Sequence, residues 1–329
     1  MNKIERVNAA VRGERVDRVP ASMWGHDFLR EWISEGVAQA MLENYHTYDW
    51  DYMKFNPRAS YHVEDWGATL TPSGNAKEGP HFTSVPVQEE GDWRRLHALN
   101  PTKGALGEQL QALRLIDGDL KGEAYFIHTI FNPLSVAKYL VGNTFEPVKT
   151  SIEDNPAALH KALDVITRTF TDYAQASLEA GASGIFYATT GWASADKLTV
   201  EQYRAFGVEY DLRLIDAFKQ APFNVLHNCG DHIMFDLLAD YPVHAISWAA
   251  TLPGNPTLAE GQTRTRHAVM GGISEKTTLP NGSAQQAADE AHDAMHQTGG
   301  LRFLLAPGCS IPPWTPKANL EAIAHAVRG

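Results

Sequence analysis

One histidine and two cysteines carry the strongest chemical signal in this 329-residue chain. His227 and Cys229 stand two apart in VLHNCG, and Cys309 lies far downstream in LAPGCS. If the run ending at Asn228 is a strand, alternation sends both side chains to one side, which suits a single metal ion. An imidazole with two thiolates is a donor set typical of zinc sites that keep a fourth position open for chemistry. Two thiolates place two negative charges on the ion and make its bound water a poorer nucleophile, which disfavours hydrolysis. Electron-rich zinc is better suited to holding a substrate thiol as a thiolate at neutral pH, the chemistry of alkyl transfer to or from sulfur. The competing reading is a pair of buried, inert thiols. A disulfide framework is not expected from two cysteines in so long a chain.

These residues need strand ends to position them, and the second half of the chain supplies a series of strands. Short apolar runs at Gly184–Ala188, Phe223–Asn228, His244–Trp248, Ala268–Ile273 and Arg302–Ala306 read as buried parallel strands. Helix-like segments follow or separate them at Asn155–Ala180, Val200–Gln220, His232–Asp240, Ser283–Thr298 and Lys317–Val327. An earlier unit fits Ala124–Pro133 followed by Leu134–Val141, so that 121–329 reads as regular βα units. The first 120 residues hold helices near Lys3–Arg12 and Phe28–Asn44 and a Gly/Pro/Trp-rich stretch from Trp66 to Trp93, an insertion or lid too polar to build its own core. The expected architecture is an α/β fold, a (β/α)8 TIM barrel in one domain over 1–329 with an N-terminal helical extension. An open doubly wound sheet is the rival, disfavoured because no GxGxxG turn follows any candidate strand. In a barrel, the loops carrying Cys229 and Cys309 share one rim.

Composition narrows the partners. The formal charge is -11 with scattered Lys and Arg, so nucleic acid finds no electrostatic footprint. The charged start MNKIERVNAAVRGERVDRVP has no signal-peptide apolar run, and no later segment reaches the roughly 18 apolar residues of a membrane span. No membrane partner and a cytoplasmic location are expected.

The motifs GERVDRVPASMW (Gly13–Trp24), KLTVEQYRAF (Lys197–Phe206), VLHNCGDH (Val225–His232) and LAPGCSIPPWTPKANLEAI (Leu305–Ile323) resemble the uroporphyrinogen decarboxylase superfamily, and within it the zinc-dependent methyltransferases that act with corrinoid proteins. The resemblance implies a (β/α)8 barrel, zinc held by His227, Cys229 and Cys309, and methyl transfer between a corrinoid and a thiol or other heteroatom substrate. No corrinoid-binding D-x-H-x-x-G segment is present, so the cobalamin comes from a partner protein or free from solution. The decarboxylases of the superfamily use N-terminal arginines and an aspartate on tetrapyrrole substrates. Here those regions read MWGHDF and MKFNP, and Asn56 stands in place of the aspartate, an amide that cannot offset a protonated pyrrole. A metal-free decarboxylase and a non-catalytic tetrapyrrole- or corrinoid-binding barrel are the alternatives. Two departures from the methyltransferase pattern bear on substrate: ISWAAT where many relatives reach an aspartate, and SEKTTLPNGS after AVMGGI.

Trp24, His26, Asn56, His128, Asn132, Tyr187 and Trp192 fall at strand ends or in loops and are expected at the barrel mouth as substrate-binding residues. Asp231 is expected to cap a following helix, with His232 at its start or behind the metal ligands. His267, His292 and His296 are expected on solvated helices. Asp49 and Asp51, flanking Trp50, make only a weak metal pair.

Overall fold

The computed structural model describes residues 1–329. The chain begins with helices α1 (Lys3–Arg12) and α2 (Ser34–Tyr48), strand β1 (Tyr52–Phe55), helix α3 (Tyr61–Glu64), an antiparallel hairpin of β2 (Thr69–Thr71) and β3 (His81–Ser84), and helix α4 (Gly104–Leu120). Next come β4 (Tyr125–Phe131), α5 (Pro133–Leu140), α6 (Glu146–Asp154), α7 (Pro156–Glu179), β5 (Gly184–Ala188), α8 (Val200–Tyr203) and α9 (Glu209–Ile215). The last third holds β6 (Val225–Asn228), α10 (Phe235–Leu238), β7 (Ala245–Trp248), α11 (Leu258–Arg264), β8 (Ala268–Ile273), α12 (Thr278–Asn281), α13 (Ala284–Thr298), β9 (Phe303–Pro307) and α14 (Lys317–Ala326).

Seven strands pair in parallel in the order β1-β4-β5-β6-β7-β8-β9, making an α/β fold around a curled sheet. Their residues are almost all buried, as expected when the interior covers one face and helices the other. The segment from Pro20 to Gly25 touches both edge strands. Leu305 N–H donates to Pro20 O, Ser22 N–H to Leu305 O and Ile311 N–H to Trp24 O, while Asp51 N–H donates to Ala21 O on the other side. Gly25 is needed there, because a Cβ would sit 2.7 Å from Ile311 O. Below it, the Asp51 carboxylate accepts from Arg6, Arg18 and the Ala21 amide at 2.7, 2.6 and 2.9 Å, which accounts for Asp51 as a clamp rather than a metal ligand. Asp49 pairs instead with Lys3 at 2.7 Å.

Several expected elements shift. Helix α2 starts at Ser34 rather than near Phe28, since Asp27 turns the chain through Arg30 first. Helix α4 was not expected. Gly104, Gly107 and Gly118 weaken its local propensity, and its N-terminal amides of Ala105 and Leu106 donate to the Asp65 side chain some 40 residues upstream. The helix expected over Val200–Gln220 is interrupted by a π-helical stretch, Arg204–Val208, where Gly207 lies against the Tyr203 ring. The one expected over His232–Asp240 shrinks to Phe235–Leu238, because His232 adopts a left-handed backbone at φ 47. The Trp66–Trp93 stretch contains the β2–β3 hairpin and the start of a 3₁₀ turn, Glu90–Arg95.

Candidate metal centre

Strand parity decides which side chains reach the sheet interior. On β6 and the strand beside it, His227 stacks on Phe186 with ring centroids 5.1 Å apart, and both face inward. Lys54 on β1 shares that direction, its ammonium 4.8 Å from the Phe186 ring centre, and Trp24 meets Phe186 edge-on at 5.5 Å. Register places His227 opposite Ser247 of β7. The His227 Nδ1 lies 3.2 Å from Ser247 Oγ, while Nε2 is buried with no hydrogen-bond partner.

Cys229 follows directly on β6, and Cys309 on the loop after β9, whose Gly308 N–H donates to Ile273 O at 2.9 Å. The two sulfurs are 3.8 Å apart, and the donor atoms of His227, Cys229 and Cys309 all lie within 4.8 Å of one another. This set fits a zinc ion: one orphaned imidazole nitrogen and two soft sulfurs point at a common space. The hydrogen bond from Cys229, together with His227, draws the Cys309 thiol well below the usual thiol range. The same bond and burial push Cys229 up. A dication held between the two sulfurs would favour both as thiolates.

Residues that sequence reasoning missed surround this trio. Lys54 is buried, hydrogen-bonds to Asn56 Oδ1, and is pushed down to about 7 by that burial. Ser310 Oγ donates to the same Asn56 oxygen at 3.3 Å, while Asn56 Nδ2 has no partner. Glu275, just beyond β8, is also buried, with Oε2 unpartnered, and burial raises its carboxyl. Lys54 was detectable by parity, since it stands two residues from Asn56, whereas Phe186 alternates with Tyr187, the residue expected at the mouth. Glu275 carried no such signal.

The expected mouth residues divide. Trp24 and Asn56 lie inside, beside Lys54. His26 is half-buried, its Nδ1 2.8 Å from the buried Glu31 carboxylate. His128, Asn132 and Tyr187 are corrections. His128 faces the helix layer, with Nε2 3.2 and 3.1 Å from the Tyr61 and Tyr173 hydroxyls, because its strand parity is opposite to the interior set. Tyr187, next to inward Phe186, donates outward to Asp211 at 2.8 Å. Asn132 caps α5 and donates to the same Asp211 at 3.0 Å. Trp192 is wholly buried edge-on against Phe145 at 4.8 Å. Asp231 caps no helix: its carbonyl accepts from Ser194 Oγ, and His232 pairs with Asp196 at the surface. His292 and His296 are exposed on α13, whereas His267 precedes β8 with a buried, unpartnered Nε2.

The family description "Uroporphyrinogen decarboxylase (URO-D)" fits residues 32–329, which include all seven strands of the parallel sheet and both loops of the thiol pair. The chain belongs to the uroporphyrinogen decarboxylase family. Within this family, a uroporphyrinogen decarboxylase from an Enterobacter species is 34% identical over 42% of this chain and 39% of its own length, so the match spans well under half of that relative. A methylcobamide:CoM methyltransferase of Methanosarcina acetivorans is 24% identical over 98% of this chain and 97% of that protein. A solved structure of a methyltransferase from Methanosarcina mazei overlays with a TM-score of 0.83, covering 99% of this chain and 98% of that one at 24% identity, which shows a shared fold. No helix is long and apolar enough to cross a membrane.

Proposed function

We propose that this chain is a zinc-dependent methyltransferase moving a methyl group between a corrinoid and a small thiol. The observation that carries the reading is the convergence of His227 Nε2 with two thiol sulfurs inside the sheet. End-to-end similarity to a methylcobamide:CoM methyltransferase supports it. We also infer that Pro20–Gly25 is the eighth stave of a closed (β/α)8 barrel in one domain, with the β2–β3 hairpin an insertion or lid near its mouth.

His227, Cys229 and Cys309 would hold the zinc, which when bound supplies a Lewis acid that keeps a substrate thiol ionised at neutral pH. Ser247 fixes the imidazole through Nδ1 so that Nε2 stays free as a donor. Phe186 and Trp24 wall the interior and exclude water from the sulfur. Lys54, Asn56 Nδ2 and Ser310 Oγ form a polar cradle one aromatic ring away from His227, suited to an anionic end of the thiol. A methylcorrinoid would supply the methyl group and retain the bonding electron pair, while the thiol accepts the methyl at sulfur and gives up its proton to solvent. The corrinoid would come on a partner protein or free.

A metal-free decarboxylase draws on the higher identity to the Enterobacter enzyme. Against it stand the three metal-type donors and the neutral Asn56. The test is turnover of methylcobalamin by zinc-loaded protein across a panel of thiols, followed by the cobalt spectrum. Demethylation that disappears in Cys309→Ala is expected. No transfer to any thiol, with porphyrinogen decarboxylated by a chelator-stripped sample, would overturn the reading.

A further inference from the structure

We propose that Lys138 and Lys197 form an oxyanion subsite at the rim beside Cys229, separate from the Lys54 cradle; this deepens the methyltransferase reading above and rests on it. Lys138, on α5, is 6% exposed, and its ammonium donates only to Thr190 O at 3.1 Å. Two of its three donors are therefore left for a ligand. Lys197, half-buried in the loop after β5, has no acidic partner either. The acids around it are engaged elsewhere, Asp196 with His232 at 2.9 Å and Asp231 with Lys276 at 3.8 Å. Both ammoniums meet one aromatic ring, 4.5 and 4.8 Å from the Phe145 centroid. Cation–π attraction offsets only part of the cost of burying one charge and setting a second beside it, and an anion would remove the rest. The chain carries 39 acidic residues against 28 basic ones, so two neighbouring lysines without a carboxylate are not for want of acids.

The loop after β5 is built to hold this arrangement. Thr190, whose carbonyl takes Lys138, has a left-handed backbone at φ 40 and is fixed by its Oγ1 donating to Ser135 Oγ at 2.5 Å. Such strain persists where the surroundings over-determine it, as they do at ligand sites. Gly191 follows at φ 90 against the Phe145 ring, which meets buried Trp192 edge-on at 4.8 Å. Gly230, directly after Cys229, packs on Gly191, where an added Cβ would lie 3.7 Å from the Gly191 Cα. The subsite thus adjoins the metal centre, and Lys138 and Cys229 feel each other's charge. Lys54 lies deeper, inside the sheet by Phe186. A thiol with its sulfur at the metal can direct one anionic group inward to Lys54 and a second to the rim. A corrinoid arriving from outside would present its phosphodiester at that same rim. The shared chemistry is an oxyanion, which two compact ammoniums suit.

The experiment uses zinc-loaded wild type, Lys138→Met and Lys197→Met, with sulfate binding read by calorimetry and KM read for two pairs of substrates. Mercaptosuccinate against 3-mercaptopropionate differs by one carboxylate, and methylcobalamin against methylcobinamide by the phosphodiester. Wild type is expected to prefer the member with the extra oxyanion in one pair by on the order of 10-fold, which names the source. Both variants should lose most of that preference and bind sulfate on the order of 10-fold more weakly. Lys197 is half-buried, so its variant tests the subsite even if Lys138→Met fails to fold. Preferences and sulfate affinity equal in all three proteins would overturn the proposal while methyl transfer stands. Loss of zinc from either variant at unchanged sulfate affinity would also overturn it, making the lysines counter-charges of the thiolates. Absence of transfer to any thiol, with sulfate binding weakened in both variants, would remove the methyltransferase reading and leave the oxyanion subsite standing.

Discussion

Ser247 Oγ lies 3.2 Å from His227 Nδ1, on adjacent parallel strands where the two residues are direct register partners. The contact holds the ring while Nε2 stays bare in a buried site beside two sulfurs. Ser247→Ala should therefore leave the fold intact and weaken zinc retention on the order of 10–100-fold in chelator competition. Unchanged affinity would mean that Phe186 stacking alone orients the ring.

Lys54 separates recognition from metal binding. In zinc-loaded Lys54→Met, KM for a carboxylate-bearing thiol should rise about 10–100-fold, the loss of one hydrogen bond to a charged group, while KM for 2-mercaptoethanol moves less than about twofold. Equal losses for both thiols would show that the lysine serves packing and not an anionic end.

Gly308 tests the crowding behind Cys309. Its φ lies outside the left-handed region, so the demand for glycine is one of space: Glu275 Oε2 and Ala249 Cα occupy the volume of a Cβ. Gly308→Ala should cost about 1–3 kcal/mol in urea unfolding and loosen zinc by displacing the Cys309 loop. A variant as stable as wild type, with full zinc, would contradict the packing described.

Asp211 gives a pH signature away from the centre. Burial raises its carboxyl to about 6, although Tyr187, Tyr203, Tyr241 and Asn132 all donate to it. A carboxyl raised in the folded state binds more protons there than in the unfolded chain, so its contribution to stability is present at low pH and is lost as pH rises from about 4 to 6. The stability of wild type minus that of Asp211→Asn should fall by roughly 2–3 kcal/mol between pH 4 and 7. A difference that is flat or grows with pH would refute the assignment.

Much of this was legible in the residues themselves. His-x-Cys at a strand end and a cysteine at the end of another strand become neighbours once the sheet is parallel and curled, and strands β4 to β9 announce themselves as apolar runs. What stayed hidden depended on contacts distant in sequence. Helix α4 is capped from Asp65, and the seven-residue β4 hides which of its residues face inward until its neighbours are placed, which is why His128 read as a mouth residue and packs against Tyr61 and Tyr173 instead. The crowding of Gly308 by Glu275 shows only once the turn after β8 is placed beside the Cys309 loop.

The central claim is that His227, Cys229 and Cys309 together hold one zinc ion, and metal analysis of purified protein tests it most directly. About one zinc per chain is expected in wild type, with near-complete loss in Cys309→Ala and Cys229→Ala at unchanged fold. Zinc well below one equivalent in wild type, or a full equivalent retained in Cys309→Ala, would contradict it.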